Sequence, residues 1–172
     1  MQRVQHHGLT TFFAAVVLLA AGCGSAETGG TGGQSSTSSS TGTPAESICA
    51  KDPRVVVYAV GVEAKATDGA LTVHFLGASP SPPVKGNNLW TVQLLDGQGQ
   101  PVNDATIITK AFMPDHGHGS SIKPQATAKG ADGTYEITPV NLFMPGVWQI
   151  TFEVKTTSGM ADSAVVMFCV DG

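Results

Sequence analysis

The sequence predicts an all-β domain, an immunoglobulin-like sandwich of about seven strands. Three observations carry this expectation: short apolar segments rich in Val, Ile, Thr and aromatics, Gly/Pro/Asn/Asp punctuation between them, and the lack of any sustained helical period. The segments are Val55–Val60, Leu71–Leu76, Leu89–Leu95, Ala105–Phe112, Tyr135–Asn141, Val147–Lys155 and Ala164–Val170. Strand alternation is cleanest in the sixth, where Trp148, Ile150, Phe152 and Val154 share one face and Gln149, Thr151, Glu153 and Lys155 the other. Pro80-Ser81-Pro82-Pro83, Asp96-Gly97, Asp132-Gly133 and Pro145-Gly146 fall at intervals that suit hairpins and Greek-key connections. Strand number alone leaves a closed barrel as the alternative.

Before these strands the chain has a different character. Arg3 precedes an almost wholly apolar run from Leu9 to Ala21, followed by small residues up to Cys23, the layout of a secretory signal. The run falls short of the roughly 20 apolar residues of a membrane span, so residues 1–22 read as a cleaved leader. Leu18-Leu19-Ala20-Ala21-Gly22-Cys23 resembles the lipobox of bacterial lipoproteins, which implies acylation of Cys23 and a membrane anchor there. Ala20 stands where that motif prefers leucine, and plain cleavage after Ala26 is the alternative. Gly24 rather than Asp after the cysteine leans towards the outer membrane of a Gram-negative envelope. Residues 23–46 are nearly all Gly, Ser and Thr, with too little apolar surface to offset the entropy of ordering, and read as a disordered tether. Residues 47–172 then form one domain of ordinary size.

Without the leader the chain carries eight basic against thirteen acidic residues, a formal charge of −5. Nucleic acid, which requires a basic face, is excluded as a partner. Cys49 and Cys169 remain as an even pair outside the cytoplasm, where disulfides persist, and are expected to be bonded to each other; service as metal ligands is the alternative reading.

The most unusual stretch is Met113-Pro114-Asp115-His116-Gly117-His118-Gly119, which holds two of the three histidines left after the leader. In extended backbone, residues two apart project to the same side, so His116 and His118 can reach one ion. Met113 adds a thioether, and Met144 in Phe143-Met144-Pro145-Gly146 adds another if folding brings that turn alongside. Imidazole with thioether suits copper, Cu(I) above all, better than calcium or magnesium; zinc remains open through the histidines. The competing interpretation makes the histidines solvated and the methionines core.

Residues 105–154, with Met113 to Gly119, Gly133-Thr134-Tyr135 and Asn141-Leu142-Phe143-Met144-Pro145-Gly146-Val147-Trp148, resemble the YtkA-like domain family and, more loosely, the FixH-like proteins. The resemblance implies a small secreted or membrane-attached β-sandwich whose Met/His loop handles copper or delivers it to respiratory oxidases. Asp115 departs from the pattern, since a methionine there would strengthen the copper case. His74 reads as a strand residue rather than a ligand, Trp90 and Trp148 as core or edge aromatics, and Tyr135 as a corner residue with its hydroxyl bonded to backbone.

Cys169 lacks the closely following His and Met of a blue-copper site, and three histidines are too few for a copper-zinc dismutase. There is no G-x-S-x-G elbow and no phosphate-binding loop. The expected role is therefore non-enzymatic: a lipid-anchored extracytoplasmic domain on the periplasmic side that buffers copper or passes it to an accepting partner. The alternative is a metal-free interaction or accessory module of an envelope complex.

Overall fold

A computed structural model describes residues 47–172 of the 172-residue chain. The expected leader, the lipidation site Cys23 and the tether lie outside these residues. The described part has nine strands and no helix: β1 Glu63–Lys65, β2 Leu71–Ser79, β3 Gly86–Asp96, β4 Ala105–Met113, β5 His118–Gly119, β6 Gln125–Ala128, β7 Thr134–Leu142, β8 Gly146–Thr156 and β9 Ala161–Val170. They form two antiparallel sheets, ordered β1-β2-β3-β7-β6 and β5-β4-β8-β9. Two separate sheets, not one closed ring, dispose of the barrel alternative.

Six of the seven expected strands are present, with β2, β3, β4, β7, β8 and β9 extending the segments read from the sequence. Val55–Val60 is the correction: it forms no strand. Its Val56 N–H bonds the Met167 carbonyl of β9 at 2.8 Å, whereas Gly61 N–H bonds the Phe75 carbonyl of β2 at 2.8 Å. A segment crossing from the edge of one sheet to the edge of the other cannot stay in register with either, whatever its β-branched content. It earns its place through Tyr58, whose ring meets Phe75 of one sheet and Phe168 of the other edge-on at 6.0 and 5.6 Å. The three further strands, β1, β5 and β6, are short and lie at sheet edges.

Burial follows the alternation. Trp148, Ile150 and Phe152 are fully buried and Val154 nearly so, while Gln149, Thr151 and Glu153 are partly exposed. Phe75 sits among Trp90, Phe152 and Phe168 at centroid separations of 5.3 to 5.8 Å, all tilted edge-to-face, the arrangement that aromatic quadrupoles favour. Both tryptophans are core residues. Tyr135 meets its expectation: buried at the start of β7, its hydroxyl accepts the Ala105 N–H at 3.0 Å where β4 begins.

Two polar side chains, Asn88 and Thr109, are buried among the described residues, and Asn88 is the one with a full set of partners. Asn88 accepts the Val84 N–H at 3.0 Å and donates to the carbonyls of Val84, Gly86 and Val140 at 2.8, 3.1 and 3.3 Å. It thus serves the Pro82-Pro83 turn and an irregularity in the β3–β7 ladder between Asn88 and Trp90. Asn88→Leu would strand the Val84 N–H and several carbonyls, and we expect a loss of about 2 to 3 kcal/mol. Urea unfolding would register this as a lower midpoint at unchanged slope; an unshifted midpoint would show that the turn holds without its amide.

Cys49 and Cys169 are joined in a disulfide across 120 residues. This removes the reading of the two as metal ligands. Cys169 lies opposite Val147 in the β8–β9 ladder, so the bond fixes the first described residues to the end of the sandwich where β8 starts.

Candidate metal centre

The Met/His stretch folds into a hairpin at this same end. Gly117 N–H and His116 N–H both reach the Met113 carbonyl, at 2.9 and 3.2 Å, closing a turn over Pro114–Gly117. The chain then returns as β5, pairing Phe112 with Gly119 and Met113 with His118. Gly119 permits that return, because a Cβ there would lie 2.6 Å from the Ala111 carbonyl oxygen.

Residues directly opposite in an antiparallel pair project to the same face. Met113 points inward, and His118 follows it to the inner side. His118 is half-buried, and its Nδ1 is sealed from solvent with no hydrogen-bond partner. His116, in the turn itself, is exposed. The two ring centroids are 5.6 Å apart. Two imidazoles on one ion, each bonded at about 2.0 to 2.1 Å, bring their ring centres to roughly 5 to 6 Å. The separation of the two rings falls within that range.

Met144 arrives from the turn between β7 and β8 and packs, partly buried, against the core. Its carbonyl accepts the Trp148 indole N–H at 2.9 Å. Its neighbour Phe143 stacks on His118 with centroids 5.5 Å apart and 25° between planes, and meets Trp148 edge-on at 5.4 Å. Met113 reaches the same turn from the other side: a Cβ on Gly146, whose φ is +133°, would fall 2.7 Å from the Met113 methyl. The β4–β5 and β7–β8 turns thus lie side by side, joined by His118 against Phe143 and Met113 against Gly146.

The fourth feature is electrostatic. Asp115 at the tip of the hairpin is bonded through both oxygens to the Arg54 guanidinium, at 2.9 and 2.8 Å. Asp52 grips the same guanidinium from the other side, Nη2 to oxygen at 2.6 Å. The Arg54 hydrogen bonds hold the Asp115 carboxyl below its ordinary range and bring Asp52 down to about 2.

Among the described residues no three His, Cys, Asp or Glu side chains gather into a metal-holding group. Any ion at this end would depend on the methionines to complete what two imidazoles begin. The residues suit a soft ion: two imidazoles, one buried ring nitrogen without a partner, and two methionines, Met113 in the buried core and Met144 packed against it on the adjoining turn. Sequence reasoning missed Phe143 and Trp148 as supports of this end, and Arg54 as the partner of Asp115. Phe143 had a signal, an exposed-type aromatic next to Met144; Arg54, 61 residues from its partner, had none.

A family model described as YtkA-like matches residues 65–153, just over half the chain. No curated protein matches it.

Proposed function

The chain belongs to the YtkA-like family, and from that premise, which suggests an extracytoplasmic accessory domain, we propose a lipid-anchored, non-enzymatic copper carrier held to the membrane through Cys23. Its site comprises His116, His118, Met113 and Met144, and it buffers copper or hands it to an accepting envelope protein. The observation that supports this most is the buried, unpartnered Nδ1 of His118, on the inner side with Met113 and 5.6 Å ring to ring from His116. An imidazole nitrogen without a partner away from water costs about 1 to 3 kcal/mol, which a bound ion would recover.

The chemistry follows from the donors. Thioethers and neutral imidazoles carry no charge, so the site favours a soft monovalent ion and competes poorly for calcium or magnesium. The exposure of His116 leaves one ligand at the surface, where an accepting protein can displace it, while His118 is held in place by its stack on Phe143.

A competition titration of the purified chain in detergent, with Cu(I) and a chromophoric chelator, tests this. We expect one Cu(I) per chain in the parent and a loss of at least about a hundredfold in affinity for the His116→Ala/His118→Ala variant, since the first ligands are removed rather than their supports. Equal affinity in both proteins would dismiss the site.

A second reading draws on the crossing segment. Val56 and Val57 are exposed, Val57 at 83%, and line one groove with Pro83 and Val84. Apolar side chains held against solvent mark docking surfaces. A metal-free interaction module would use this flank, and a Val57→Asp change would abolish its partner binding while leaving copper affinity intact.

A further inference from the structure

The hairpin carries one carboxylate, Asp115, set between Met113 and His116. Free, that carboxylate would add a hard donor to the site and shift preference towards zinc, manganese or cobalt. It is not free. Both of its oxygens are engaged by Arg54, whose guanidinium is in turn oriented by Asp52 through Nε at 2.9 and 3.2 Å and through Nη2 at 2.6 Å. The Arg54 N–H also bonds Asp52 Oδ1 at 2.9 Å, so main chain and side chain are set together. Cys49, five residues earlier, is covalently fixed to Cys169 at the end of β9. The arginine is thus delivered to the hairpin by a braced strap, from a part of the chain 61 residues distant.

We propose that Arg54 is a specificity-determining residue: by occupying both oxygens of Asp115 it keeps the carboxylate out of the coordination sphere and leaves imidazole and thioether as the donors. This rests on the copper reading of the same site. The bidentate fork matters here, because a planar guanidinium satisfies both carboxylate oxygens at once, as a lysine ammonium would not. Exposed ion pairs contribute little to stability, so a role in holding the fold is the weaker explanation of so complete an arrangement.

The test is a pair of competition titrations on the purified full chain, with Cu(I) and with Co(II) as the hard-leaning probe, across the parent, Arg54→Ala, Asp115→Asn and the Arg54→Ala/Asp115→Asn double variant. The ratio of Cu(I) to Co(II) affinity is expected to fall about tenfold or more in Arg54→Ala, the scale on which supports of a metal site act. Asp115→Asn should restore the ratio in the double variant and leave it at the parent value on its own. If the parent binds Cu(I) and Arg54→Ala keeps the ratio, the inference is overturned and the copper reading stands. A fall that Asp115→Asn does not reverse overturns it too, because the effect would then come from general loosening of the strap. Absence of Cu(I) binding in the parent removes the copper reading and the inference with it.

Discussion

Replacing Cys49 and Cys169 together by alanine should lower the stability of the domain by about 4 to 5 kcal/mol, the largest effect we expect from any change that leaves the core untouched. The bond closes a loop of 120 residues, nearly the whole folded domain, so its loss frees the unfolded chain more than a local crosslink would. On the chain-entropy account that freedom alone amounts to the figure given. It is a large share of the 5 to 15 kcal/mol that holds a typical domain. The native side changes as well: the residues before Arg54 would keep the Ile48 N–H bond to Asp171 at 3.1 Å but lose their covalent tie to β9. Urea unfolding of the parent and the variant reads the difference directly. A shift under about 1 kcal/mol would mean that the unfolded chain is already compact across this span.

The second large effect is at Trp148, which is fully buried and belongs to core and site at once. Trp148→Ala would open a cavity between the sheets and cost about 3 to 5 kcal/mol. Trp148→Phe separates the two roles. It keeps most of the packing, yet it removes the indole N–H bonded to the Met144 carbonyl at 2.9 Å and weakens the edge contact with Phe143. We expect Trp148→Phe to cost about 1 to 2 kcal/mol in stability, less than the alanine change because only part of the indole volume is lost, while Cu(I) affinity drops about tenfold because the turn carrying Met144 is no longer pinned. Stability and affinity falling in proportion would instead show that the turn is held by packing alone.

How much of this was legible beforehand depended on whether the information was local. The β8 alternation through Trp148, Ile150, Phe152 and Val154 is a property of neighbouring residues, and every one of those side chains is buried as read. The Pro and Gly clusters mark four of the connections between strands for the same reason. Val55–Val60 misled because β-branched residues report only a preference for extended backbone, whereas a strand needs a continuous partner and this segment has two different ones. β5 and β6 escaped notice because two and four edge residues carry no apolar alternation to detect. At the candidate site, residue types alone singled out Met113, His116, His118 and Met144. What the sequence could not convey is how they are arranged: the pairing of His118 with Met113, the stack on Phe143, and the capture of Asp115 by Arg54 across 61 residues.

The most direct measurement is X-ray absorption at the copper edge on the Cu(I)-loaded chain. The account predicts a mixed shell, with imidazole nitrogens at about 2.0 Å beside sulfur scatterers from Met113 and Met144. In the His116→Ala/His118→Ala variant the nitrogen shell should vanish. A shell of oxygen and nitrogen without sulfur, or one unchanged by removal of both histidines, would contradict it.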